Sequence, residues 1–110
     1  MNQPNKDRLR GTLDVLILKT LAGGARHGYG IARWIEEMTG NDIQVEEGSL
    51  YPSLYRMERK GWIVAEWGMS ELNRRVKLYK LTTEGRKHLR QETMEWARFS
   101  SAVSRILLAT

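Results

Sequence analysis

The chain has 110 residues, no cysteine and a net charge of +5 at neutral pH, with an isoelectric point near 9.8. A chain of this length forms one domain that buries roughly two thirds of its unfolded surface, and the missing cysteine excludes a disulfide framework and a thiolate zinc site. The basic balance points to a polyanionic partner, while no apolar run exceeds four residues, as at Val15–Leu18, against the ~20 that span a bilayer.

Residues 1–10 are polar and lack the pattern of a signal peptide, which places the chain in the cytoplasm. Residues 1–6 read as a loose tail with nothing apolar to bury, from which Lys6, and beyond it Arg8 and Arg10, could reach a phosphate backbone or simply stay solvated. Residues 7–22 read as a first helix, apolar at Leu9, Leu13, Leu16, Ile17 and Leu21. Val15 and Leu18 spread that stripe around much of the circumference, as in a helix covered by both a core and a second subunit. Gly23 and Gly24 end it. A second helix runs from Gly28 or Tyr29 to Thr39 with Ile31, Trp34, Ile35 and Met38 inward, and Gly40 and Asn41 stop it. Gly28-x-Gly30 is no dinucleotide motif, because Arg33 stands where a third glycine belongs and no strand is expected ahead of it.

Residues 46–61 predict a short helix with two unlike faces. Leu50, Leu54 and Met57 fall on one side at i, i+4, i+7 spacing and anchor it to a core together with Ile31 and Ile35. Ser49, Pro52, Tyr55, Arg56 and Arg59 fall on the outward arc, with Tyr51 on its flank. Ser49 suits an N-cap, Pro52 the first turn and Gly61 the far end. The link from the second helix is five or six residues, which makes a tight helix-turn-helix.

After Gly61 the period changes to alternation. Trp62–Trp67 and Val76–Leu81 predict a two-stranded hairpin joined by the polar link Gly68–Arg75, with Arg74, Arg75 and Lys77 at its second shoulder. A basic hairpin behind a helix-turn-helix is a winged-helix arrangement. Thr82 is a candidate N-cap for one last helix, in which Leu89, Trp96, Phe99, Val103 and Ile106 occupy heptad a and d positions, Glu92 breaking the series. That helix is longer than a monomer of this size can cover, so it is expected to pack on a partner's copy and on the first helix. The fold class is thus mainly α with a small β hairpin: a winged helix-turn-helix over 1–81 and a long C-terminal dimerisation helix over 82–110.

Arg10-Gly11-Thr12-Leu13, His27-Gly28-Tyr29-Gly30-Ile31, Gly48-Ser49-Leu50-Tyr51-Pro52-x-Leu54, Met57-Glu58-x-x-Gly61 and Tyr79-x-Leu81-Thr82-x-x-Gly85 occur in order along residues 10–85. Together they resemble the PadR family of bacterial winged-helix regulators, and the single C-terminal helix resembles that family's compact subgroup. Trp62 stands where a small aliphatic residue is usual, and Leu72-Asn73 precedes Arg74 where a Gly/Pro-Arg pattern is frequent, which leaves the wing tip's path open. The resemblance implies a homodimeric DNA-binding repressor relieved by a small aromatic or drug-like effector, with no cofactor.

On this reading Ser49, Pro52, Ser53 and Arg56 meet base edges, with Arg56 the candidate for guanine. Arg59 and Lys60 touch phosphates, Tyr51 and Tyr55 either contact DNA or pack, and Tyr29 either donates to phosphate or packs on the reading helix. Arg74, Arg75 and Lys77 add affinity that falls with salt. A two-fold dimer sets two reading helices roughly 34 Å apart and prefers an inverted repeat in double-stranded DNA. Trp96 is an interface anchor or, facing its own copy, a candidate effector contact. His27 and His88 lack the supporting acids or cysteines of a metal site and read as core or surface residues. An enzyme is excluded for want of a nucleophile beside a base, paired carboxylates or a phosphate loop. Two rivals stay open: a DNA-binding regulator without a ligand, and a winged-helix protein–protein adaptor.

Overall fold

The computed structural model describes residues 4–110, with side chains from Gly11 onward; the expected roles of Lys6, Arg8 and Arg10, and the packing of Leu9, lie outside that described set. The first helix, α1, spans Pro4–Ala22. It takes in three residues expected to be tail, since proline is tolerated in a first helical turn. A two-residue strand, β1 (Arg26–His27), leads into α2 (Gly28–Met38). Then come α3 (Glu47–Arg59), β2 (Ile63–Met69), β3 (Arg75–Leu81) and α4 (Thr83–Leu107).

The sheet has three strands in the order β1-β3-β2, all antiparallel, so the expected two-stranded hairpin gains a third strand. Arg26 pairs with Tyr79 and His27 with Leu78, which covers part of the β3 edge and ties the start of α2 to the wing's base. His27 also caps α2, its Nδ1 accepting the Gly30 N–H at 3.0 Å. The link between α2 and α3 has eight residues rather than five or six. It is held by Glu36, whose Oε2 accepts the Val45 N–H at 3.0 Å.

Ile17, Leu18 and Leu21 of α1, Ile31 and Ile35 of α2, and Leu50, Leu54 and Met57 of α3 meet Ile63 and Tyr79 in one buried cluster. Of the core residues expected from periodicity, Ile17, Leu21, Ile31, Ile35, Leu50, Leu54 and Met57 are buried, while Leu13, Leu16 and Trp34 are half-buried against the cluster. Met38 is two-thirds exposed because the end of α2 runs past the core. Burial raises the Tyr79 phenol above its ordinary pKa.

The wing is followed at once by α4, and the joint is tight. Thr82 caps the helix by accepting the Gly85 N–H at 2.9 Å, and its hydroxyl donates back to the carbonyls of Gly61 and Trp62. A Cβ on Gly85 would overlap the Trp62 carbonyl oxygen, so only glycine lets α4 press this closely onto the end of α3. At roughly 1.5 Å per residue, the 25 residues of α4 outrun the globular part, and the molecule measures 55 × 31 × 29 Å.

Candidate nucleic-acid interface

On α3 one side is buried and the other is open. Leu50, Leu54 and Met57 are covered, whereas Ser49, Tyr51, Pro52, Tyr55, Arg59 and Lys60 are exposed. The helix starts at Glu47 with Glu46 as N-cap and no side-chain cap bond. Ser49 is therefore inside the first turn rather than the cap, and Pro52 lies in the second turn. Acidic residues at a helix start complement the dipole, which accounts for the helix extending upstream of the serine. A proline at position 52 cannot donate to the carbonyl of Gly48, so one helical hydrogen bond is missing from the opening turns. At the other end Gly61, at φ 77°, closes α3, with Trp62 N–H donating to the Met57 carbonyl and Gly61 N–H to that of Glu58.

Two expected base-reading residues are directed elsewhere. Ser53 is buried. Arg56 turns toward α1, where its Nη2 donates to both carboxylate oxygens of Asp14 at 2.7 and 2.9 Å, with Ser53 Oγ at 3.4 Å. Asp14 is itself buried. Positions 53 and 56 sit at the border of the outward arc, and α1 covers that border. The pair fixes α3 against α1, and stripping either partner would leave a poorly solvated charge.

Three of the remaining cations lie on aromatic rings. The Arg59 guanidinium lies 5.7 Å from the Tyr55 ring centroid, Lys60 Nζ 4.7 Å from that of Trp62, and Arg75 4.6 Å from that of Trp67. Such stacking limits the rotamer freedom lost when the charge is later placed on a phosphate. Tyr51 rests on the start of α2: a Cβ at Gly28 would lie 2.8 Å from its hydroxyl, so the ring packs there and still leaves an exposed edge. Tyr29 is exposed, and its hydroxyl accepts from Arg33 Nη1 at 3.1 Å. Arg33 also pairs with Glu37 at 3.2 Å; Glu37 first and Tyr29 second raise its pKa.

The wing strands reach two residues further than expected on the first arm and one on the second, to Met69 and Arg75. The turn closes through Ser70, whose carbonyl accepts the Asn73 N–H, whose own N–H donates to the Arg74 carbonyl, and whose Oγ accepts the Arg74 N–H. Asn73 takes the left-handed conformation at φ 60°, which asparagine tolerates; this settles the path that Leu72-Asn73 left open. Arg74, Arg75 and Lys77 are all exposed, and Lys77 Nζ lies 3.7 Å from Glu58 of α3.

The expected dimer residues divide. Leu89 packs against its own core. Trp96 and Phe99, with ring centroids 6.2 Å apart, are more than half exposed, and Ile106 beyond them is more exposed still, with Val103 half-buried. Beside them α1 and α4 enclose an open groove of about 560 Å³, lined by Val15, Leu16, Ile43, Glu95, Trp96 and Phe99 among others. His88, half-buried, stacks face to face on Trp62 at 3.7 Å. Asp14 and Trp67 are not among the site residues expected from sequence. Asp14 has a visible signal there, a lone carboxylate within the apolar stripe of α1.

Comparison with known proteins agrees with this geometry. The family model described as transcriptional regulator PadR-like family matches residues 17–91. An uncharacterized protein from Lysinibacillus sphaericus is 35% identical over 91 residues, covering 83% of this chain and 84% of its own. A PadR family transcription regulator from Clostridium difficile superposes with a TM-score of 0.72 at 34% identity, over 87% of this chain and 97% of that one. A PadR-like transcriptional regulator from Bacillus cereus gives a TM-score of 0.81 at 27% identity, over 94% and 99%. With this family match, the shared fold and a cationic helix face in agreement, the chain belongs to the PadR-like family of transcriptional regulators.

Proposed function

We propose that the protein is a homodimeric, sequence-specific regulator that inserts α3 into the major groove of an inverted-repeat operator and represses transcription until a small aromatic effector releases it. The observation that carries this reading is the division of α3 into a buried apolar side and an open side bearing Ser49, Pro52, Tyr55, Arg59 and Lys60. Ser49 and Pro52 at the leading end meet base edges; Arg59 and Lys60 near the tail meet phosphates, as does Arg74 from the wing, while Arg75 beside it adds charge toward the duplex. Tyr29, Tyr51 and Tyr55 line the contact with their exposed edges. Ser53 and Arg56 support the surface from behind, and the exposed Lys77, beside Glu58, adds charge at the base of the wing.

The second copy covers Trp96, Phe99, Val103 and Ile106 of α4, and the groove beside Trp96 is where a flat effector stacks. Residues 1–81 carry the DNA-binding half and 82–110 the dimerisation helix, and the chain works in the cytoplasm; among the described residues no helix is long and apolar enough to cross a membrane. In vitro selection from a random DNA pool tests the reading: a dyad-symmetric consensus with half-sites about one duplex turn apart is expected. Failure to enrich any sequence would favour a protein–protein adaptor. Tryptophan emission unmoved by a panel of planar aromatic compounds would favour a regulator without a ligand.

A further inference from the structure

A flap that only touches phosphates has no need of large apolar side chains, yet the far half of the wing exposes three. Trp67 is 62% exposed, Met69 58% and Leu72 78%. Strand register fixes where the first two stand. Trp67 is opposite Lys77 and Met69 is opposite Arg75, on the same sheet face as Ala65 and Tyr79. That face is turned to α3, because Tyr79 is buried in the core and Lys77 pairs with Glu58 of α3. The indole therefore overhangs the core on the reading-helix side, with the Arg75 guanidinium stacked diagonally across it.

The two faces of the wing differ in charge. On the outer face Glu66 and Lys80 neutralise each other at 2.9 Å. On the inner face beyond Tyr79 the charged residues are Lys77, already paired with Glu58, and Arg75, which lies over a ring. Glu71, in the turn, is the one carboxylate beyond Glu66 on the hairpin. An apolar plate carrying an uncancelled guanidinium, on the wing face turned to α3, complements a DNA minor groove: apolar sugar edges form its walls, acceptors its floor, and its narrow stretches concentrate negative potential.

Building on the DNA-binding reading above, we propose that Trp67 and Arg75 act as one minor-groove wedge. On binding the guanidinium leaves the ring for the groove floor, and the indole so uncovered is pressed between bases at a flexible pyrimidine–purine step. The wing then selects DNA by its deformability in addition to its charge, and Trp67 is a specificity-determining residue.

The test uses the full-length protein and a duplex recovered by selection, in versions with either a TA step or a stiff A-tract beneath the wing, and with 2-aminopurine placed in the step. Trp67→Ala is expected to weaken binding to the TA duplex by roughly 5- to 100-fold, to leave the salt dependence unchanged and to erase the preference over the A-tract. Trp67→Phe should retain much of both. The 2-aminopurine signal should rise on binding of the wild type and stay flat with Trp67→Ala. The exposed position leaves folding unaffected, which matched thermal melts would verify. Equal binding by Trp67→Ala and wild type, alongside weakened binding by Arg59→Ala, would overturn the wedge, leave DNA reading intact and point to a protein partner for the ring. A loss accompanied by a salt slope lower by about one would also overturn it, since the ring would then only prop Arg75 against a phosphate. A wild-type chain that bound no duplex would overturn both readings.

Discussion

Across α3 and the wing the exposed rings of Tyr55 and Trp67 and the half-buried ring of Trp62 are accompanied by cations. Along α4, by contrast, Trp96 and Phe99 accompany each other, with Val103 and Ile106 further along the same heptad stripe. Exposure alone does not separate the two regions; the company each ring keeps does. A ring with a guanidinium or ammonium on its face stays hydrated and meets a polyanion at little cost. A ring beside further apolar groups lowers the free energy most when a second apolar surface covers it. On the proposed reading, the first region is a surface for DNA and the second for another copy of the chain. They are joined where Thr82 and Gly85 clamp the start of α4 to the end of α3.

The largest effect is expected at that joint. Gly85→Ala places a methyl group against the Trp62 carbonyl and should destabilise the fold by about 3 kcal/mol or more, a backbone clash being costlier than ordinary overpacking. Urea denaturation reads it, and both regions should fail together. Next, Phe99→Arg puts a charge on the apolar stripe. It should weaken dimerisation by about 100-fold or more in sedimentation equilibrium while leaving the circular dichroism of the monomer unchanged.

The two arginines on α3 sharpen the comparison further. Arg59→Ala should weaken operator binding by roughly tenfold with no change in melting temperature, as expected of an exposed contact. Asp14→Ala, which strands Arg56, should cost about 1–3 kcal/mol of stability, within the range for a partly buried pair, and would reduce DNA affinity only through a displaced α3. If the two variants behave alike, the separation of Arg59 from Arg56 is wrong. The smallest effect is Arg74→Ala, which should lower the salt slope of DNA binding by about one and weaken all sequences equally.

Much of this is legible in the residues. The i, i+4, i+7 spacing of Leu50, Leu54 and Met57 identifies the buried side of α3, the change of period after Gly61 identifies the wing, and Thr82 announces α4. What stays hidden is what periodicity cannot carry. A two-residue strand such as Arg26–His27 has too few positions to display an alternation. A helical wheel puts Arg56 on the outward arc because the wheel contains no α1, and the partner that turns Arg56 inward lies 42 residues earlier in the chain. Ser49 resembles a cap by its hydroxyl alone, while Glu46 and Glu47 upstream supply a charge that prolongs the helix. Trp67 reads only as a strand residue, since the stacking of Arg75 depends on the register of a hairpin whose turn the sequence leaves unassigned.

Sedimentation velocity of the protein mixed with a selected operator duplex tests most directly whether an apolar tail and a cationic head belong to one paired machine. Two chains per duplex are expected, with α4 variants such as Phe99→Arg losing the paired species. One chain bound per duplex, with the free protein sedimenting as a monomer at every concentration, would contradict it.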